Sequence, residues 1–217
     1  MENIATKEDL AHVEMIKSRI KAIEHLEKIM RNSSTLEKIF EEHLAEHPWL
    51  INPYWNINKN SDSEDKLTTQ VYQNTKIAGE FERAFLDILI EVAEEQYPVI
   101  VELKKNTPTG HAVVNAGIMT EQIKKYRKAI QQKRTDLKLI SDIEIKAVFI
   151  ITEDAGIIGS GNKIEFETYE LAQFKALNIE VLKYNDIIAK SKKMYSEHLQ
   201  IIKSSNIVPD FDVRLEI

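Results

Sequence analysis

The patterning of this chain predicts an α/β fold: a mixed β-sheet flanked by helices and preceded by an N-terminal helical extension. Three observations carry the prediction. Apolar residues recur at intervals of three and four from Leu10 to Ile29, the middle of the chain switches to two-residue alternation around a charged turn, and short apolar runs then alternate with helical periods.

From Lys7 to Met30 the positions Leu10, Val13, Ile16, Ile20, Ile23, Leu26 and Ile29 form a narrow apolar stripe with charged flanks, which predicts an amphipathic helix. Either the rest of the chain or a second copy covers such a stripe, so residues 1–32 are a candidate element for building a homo-oligomer or docking a partner protein. Asn32, Ser33, Ser34 and Thr35 break the pattern and offer N-caps to a second helix, in which Leu36, Ile39, Phe40, His43, Leu44 and His47 keep helical spacing until Pro48. The polar segment 52–65 reads as a loop. Strand-like alternation follows over 69–76 and 80–92, then a turn around AEEQ and the strand YPVIVELKK. A long helix is expected from His111 to about Lys133, the strand KAVFIIT after it, a helix over 164–177, the strand IEVLKY and a final helix. The folded domain is placed at 33–204 and a tail at 205–217.

Composition narrows the chemistry. The 217 residues are 43% hydrophobic, suited to a packed globule, and carry a net charge of −6, which argues against a uniformly basic, histone-like surface. No apolar run approaches the ~18 residues of a membrane span, and MENIATKEDLAH lacks a signal-peptide core, so a cytoplasmic protein is expected. With no cysteine in the chain, disulfides, thiolate metal sites and cysteine nucleophiles are excluded, and any metal is held by oxygen or imidazole.

The stretch PVIVELKKN concentrates the candidates. If FERAFLDILIEV and YPVIVELKK form a hairpin centred between Glu94 and Glu95, opposed residues have numbers summing to 189, and Asp87 faces Glu102. Alternation then puts Asp87, Glu102 and Lys104 on one face with Phe85, Leu89 and Ile100, and Leu86, Ile88, Ile90, Val99, Val101 and Leu103 on the other. This face is either the solvated side of a sheet or a buried charged site. Charges embedded among apolar side chains need partners, and two facing carboxylates repel unless a cation lies between them. Mg²⁺, with Mn²⁺ as a substitute, suits such hard oxygen ligands, and Lys104 is placed to balance charge on phosphate oxygens.

Asp87, 14 intervening residues, then Glu102-Leu103-Lys104 resembles the D…E-x-K signature of the PD-(D/E)xK nuclease superfamily. Leu86 stands where that superfamily often has proline. The order of elements from about Ser34 to Tyr184 is similar to its restriction-endonuclease-like core. Within the superfamily, LEKIFEEHLAEHPWLINPYW resembles the opening helix of Shedu-like anti-phage defence nucleases through Glu37, Phe40, Leu44 and Pro48, and EQIKKY matches through Gln122 and Tyr126. The resemblance implies a Mg²⁺-dependent endonuclease acting on DNA in prokaryotic antiviral defence. It assigns the ion to Asp87, Glu102 and the Leu103 carbonyl, catalysis to these carboxylates with Lys104 and Gln122, and a water-mediated metal contact to Glu37. Ser34, three residues before Glu37, equally makes that glutamate a capping-box acid. Gln122 is otherwise an exposed helix residue and Tyr126 a core aromatic.

On the same helix Lys124, Lys125, Arg127 and Lys128, followed by Lys133, Arg134 and Lys138, form the clearest basic cluster, fit either to neutralise DNA phosphates or simply to be solvated. Among the six histidines no HExxH occurs, and His43 with His47 reads as helix packing near Trp49. GIIGSGNK lacks the ending of a phosphate loop and reads as a turn, and no GxSxG elbow is present. The competing class is a catalytically silent nuclease-like fold that serves assembly through its first helix. For that role, light scattering on a chain lacking residues 1–32 gives a lower assembly mass than the full chain, and an unchanged mass refutes it.

Overall fold

The computed structural model describes residues 7–32, 34–55, 69–76, 85–92, 95–104, 115–139, 141–152 and 166–205. Ten main elements follow in order: α1 (Lys7–Arg31), α2 (Glu37–Glu46), β1 (Thr69–Lys76), β2 (Phe85–Val92), β3 (Val99–Lys104), α3 (Ala116–Lys133), β4 (Ala147–Ile151), α4 (Thr168–Ala176), β5 (Ile179–Lys183) and α5 (Tyr184–Ser205). Two compact units result, one of Ser33–Tyr184 and one of Met1–Asn32 with Asn185–Ile217. The last helix therefore groups with the first, and the expected 33–204 domain ends twenty residues early at Tyr184.

The larger unit is α/β, with a five-stranded mixed sheet whose spatial order is β1-β2-β3-β4-β5. β1, β2 and β3 are antiparallel neighbours, and β3, β4 and β5 run parallel. Parallel neighbours cannot be joined by a tight turn, and α3 and α4 lie in the two crossovers. β4 is buried at every position, which its unbroken apolar run AVFII anticipates for a strand covered on both faces. One side of the sheet packs Leu89, Ile100, Phe149 and Ile151 with Met119, Ile123, Tyr126 and Ile130 of α3 and Phe174 of α4. The alternate residues Ile88, Ile90, Val99, Val101, Leu103, Val148 and Ile150 are buried as well, and α2 contacts β1, β2 and β3.

Helix starts are where periodicity misleads. The helix expected from His111 begins at Ala116, because Asn115 is extended (φ −139°, ψ 158°) and its side chain accepts the Ile118 N–H at 2.9 Å. The helix expected from 164 begins at Thr168, since Glu167 is extended and forms a capping box with Glu170. At α2 the cap position is Leu36 rather than the polar residues before it. The fragments 56–65 and 80–84, GIIGSGNK and the tail from 206 lie outside the described residues.

In the smaller unit the stripe Val13, Ile16, Ile20, Ile23, Leu26 and Ile29 is buried, whereas Leu10 at the start of α1 is 50% exposed. Arg19 donates to the Tyr195 hydroxyl with its guanidinium 5.8 Å from that ring, and Lys192 pairs with Glu27 at 2.9 Å, joining α1 to α5. No described helix is long and apolar enough to cross a membrane.

One side chain ties three elements of the sheet unit. Arg127, 1% exposed, donates from Nε to the Ile145 carbonyl (2.8 Å) and from one terminal nitrogen to the carbonyls of Leu177 (2.8 Å) and Asn178 (3.2 Å). Asn178 takes a left-handed backbone (φ 53°) after α4, which turns its carbonyl toward both Arg127 and the Ala147 N–H. Arg127 is thus a structural clamp and not the solvent-facing phosphate ligand expected from the basic run. Replacing it by Met strips a charged donor from buried carbonyls and is expected to cost about 3 kcal/mol. Thermal unfolding by circular dichroism should show a midpoint lower by about 6–12 °C, and no drop refutes the clamp.

Candidate active site

The hairpin has the register the sequence predicts: Ile88 opposes Val101, Leu89 opposes Ile100 and Ile90 opposes Val99. Pairing stops there, and one step further Asp87 turns its Oδ2 onto the Leu103 N–H at 2.8 Å. The carboxylate thus replaces a strand partner at the open end of the hairpin. Leu103 meets Asp87 through its N–H, beside the carbonyl expected to serve the ion.

Glu102 is 1% exposed, so the solvated-face alternative does not hold. In the parallel register it stands beside Phe149, and Lys104 beside Ile151. Its Oε1 accepts from Lys104 Nζ at 2.5 Å and from Gln122 Nε2 at 2.5 Å, while its Oε2 is buried with no hydrogen-bond partner. Burial first, and then the Asp87 charge, push the Glu102 carboxyl up to about 7. Asp87 is raised as well, by burial, against the lowering pull of the Leu103 N–H and of Lys104. For Lys104 burial pulls downward, but Glu102 in direct contact outweighs it together with Asp87 and Glu37, and the ammonium is held above its ordinary value. Lys104 is therefore cationic at neutral pH.

α3 delivers the next pair. Gln122 and Tyr126 lie one turn apart, and Gln122 Nε2 contacts the Tyr126 hydroxyl at 2.8 Å as well as Glu102. Gln122 is consequently a site residue and not a solvated helix position. Tyr126, 5% exposed, serves both core and site: burial and then the Glu102 charge raise its hydroxyl above the ordinary value and keep it protonated. Glu37 opens α2 near enough for its charge to act on both Glu102 and Lys104. Because Leu36 is the cap, Glu37 is the first helical residue and not the third, the position that a capping box with Ser34 requires.

Lys125 and Lys128 are exposed on the outer side of α3, and Lys124 is exposed in an ion pair with Glu121 at 2.9 Å. Arg134 is taken up by Glu91 and Asp136. His43 and His47 pack edge to face with ring centroids 4.8 Å apart, and His47 stacks similarly near Trp49 at 6.1 Å, as helix-end packing. Tyr184, read from sequence only as the end of a strand, places a buried hydroxyl within the electrostatic reach of Glu37 and Asp87. Nothing in the sequence around it signals that.

The donor set suits a hard divalent cation. Burial raises the proton affinity of both carboxyls, the Asp87 charge adds to the rise at Glu102, and one Glu102 oxygen is buried without a partner. Among the described residues no three carboxylate or imidazole groups cluster as a self-sufficient metal cage, so an ion here would take Asp87, Glu102, a backbone carbonyl such as that of Leu103, and water. Comparison with protein-family models, curated proteins and solved structures finds no match.

Without metal, the raised Glu102 makes stability pH-dependent in a defined direction. Its folded value of about 7 exceeds the ordinary 4.5, so the folded chain holds a proton that the unfolded chain has lost between these limits. The contribution is full below about 4.5 and disappears as pH rises through about 7. Denaturant titrations in EDTA should show wild type losing stability relative to Glu102→Gln from pH 5 to pH 8, by on the order of 3 kcal/mol. A constant difference refutes it.

Proposed function

We propose that this chain is a metal-dependent endonuclease that hydrolyses phosphodiester bonds in DNA, on a restriction-endonuclease-like core. The observation that carries the proposal is Glu102: a buried carboxylate beside Asp87, anchored at Oε1 by Lys104 and Gln122, with Oε2 left unpaired. The order α2, β1, β2, β3, α3, β4 supports the same core, with Glu37 at the head of α2 and the carboxylate pair at the hairpin's open end. Prokaryotic antiviral defence is the setting the Shedu-like motifs point to.

Asp87 and Glu102 would hold the ion, with the Leu103 carbonyl as a further ligand. Bound Mg²⁺ or Mn²⁺ supplies Lewis-acid polarisation and a water that ionises near neutral pH. Gln122 and Lys104 fix Glu102 Oε1, which leaves Oε2 as the free ligand atom. The Lys104 ammonium donates to a non-bridging phosphate oxygen and offsets the charge that grows there. As the water oxygen bonds to phosphorus it gives up a proton to solvent, the bond to the departing sugar oxygen breaks, and that oxygen takes a proton from solvent. Lys124, Lys125 and Lys128, on the helix that carries Gln122, neutralise flanking phosphates without reading bases.

Supercoiled plasmid nicked in Mg²⁺, with Mg²⁺ and Mn²⁺ binding followed by isothermal titration, tests the proposal. Wild type should bind and nick, and Asp87→Ala/Glu102→Ala should lose both, with nicking down about a thousandfold or more. Cleavage of RNA but not plasmid would move the substrate class. A wild type silent in both assays would leave an assembly module as the better account.

A further inference from the structure

Among the described residues four buried side-chain polar atoms lack a partner: Trp55 Nε1, Glu102 Oε2, Thr120 Oγ1 and the Tyr184 hydroxyl. Buried groups of this kind cost stability, and each calls for an explanation. The hydroxyl of Tyr184 stands out by its surroundings.

Tyr184 is 1% exposed and directly follows β5. In the parallel register Lys104 pairs with Ile151 and Ile151 with Lys183, so Tyr184 sits at the same end of the sheet as Lys104. Its ring meets Phe40 edge-on, with centroids 5.0 Å apart at 61°. Phe40 lies three residues after Glu37 on α2, hence on the same helix face one turn along. The aromatic contact therefore brings the tyrosine beneath the turn that carries the glutamate. Phenylalanine would fill the same space and leave no donor stranded, so the hydroxyl is an expense that packing does not require. Burial first, then the charges of Glu37 and Asp87, raise it well above the ordinary tyrosine value, and it remains a protonated donor at neutral pH.

We propose that Tyr184 is a positioning residue: in the ion-loaded protein its hydroxyl donates to the Glu37 carboxylate and holds it toward Asp87 and Glu102. This assignment rests on the nuclease proposal. A carboxylate that reaches the ion through water needs a fixed rotamer, and a short donor from the sheet end supplies it. Nothing in the assignment requires Tyr184 to touch substrate.

The experiment compares full-length wild type, Tyr184→Phe, Glu37→Gln and the double variant, by Mn²⁺ titration, plasmid nicking and metal-free thermal unfolding. Tyr184→Phe should keep or raise the unfolding midpoint, weaken Mn²⁺ about tenfold and lower kcat about tenfold with KM for DNA unchanged. The double variant should be no worse than Glu37→Gln alone. A wild type that neither binds Mn²⁺ nor nicks removes the nuclease proposal and this one with it. An active wild type with an unaffected Tyr184→Phe removes only the role of Tyr184, as does a clearly lowered midpoint, which would make the hydroxyl a structural bond. Multiplying losses in the double variant would refute action through Glu37.

Discussion

A carboxylate taken out of water has to be compensated by whatever surrounds it, and most of the sheet unit is arranged around that requirement at Glu102. The residue sits on β3, the central strand, paired with Phe149 of β4 on one side and one step beyond the last antiparallel pair with β2 on the other. Lys104 reaches it from two positions along the same strand, and Gln122 reaches it from the helix lying over that face. Both bind one oxygen. The other is buried without a partner, while the charges of Asp87 and Glu37 act on the same carboxyl, so compensation is incomplete. An arrangement of this kind is costly as architecture and serves best as a receptor for positive charge.

Much of this was legible before any coordinates. Two-residue alternation together with a turn centred at Glu94 and Glu95 determines which side chains share a face, and from that alone Asp87, Glu102 and Lys104 come together. Gln122 and Tyr126 follow from helical spacing. What periodicity does not carry is the third dimension. Arg127 belongs to a run of lysines in the sequence, yet a helix rotates each successive residue by about 100°, and only the positions of β4 and the α4–β5 turn decide that Arg127 points inward. Helix starts escape the pattern for a related reason: Asn115 and Glu167 end the extended chain through local side-chain bonds that apolar spacing does not register. Tyr184 is invisible for want of pattern, since its meaning lies in a contact with a helix more than a hundred residues earlier.

α3 shows how one helix serves two masters. Ile123, Ala129 and Ile130 anchor it in the apolar core, Gln122 and Tyr126 turn toward the carboxylates, and Arg127 fastens it to the turns before β4 and β5. The polar contacts to the site and the guanidinium clamp lie within six consecutive residues, 122–127, so the side chain that orients Glu102 rides on a segment with little freedom to shift. Rigidity of this kind is what a group must have if it is to fix a neighbour's geometry.

The sheet has one further consequence. Its spatial order repeats its chain order, so each described strand pairs with its neighbours in sequence. The antiparallel pairs close short stretches of chain, whereas the parallel pairs β3–β4 and β4–β5 each close a longer crossover that carries a helix, and loop-closure entropy rises with that length. The hairpin that carries Asp87 and Glu102 is the most local of these pairings, joined by a short turn. The two acids therefore come from adjacent strands joined directly, whereas the glutamine that orients one of them is delivered from a separate element, α3.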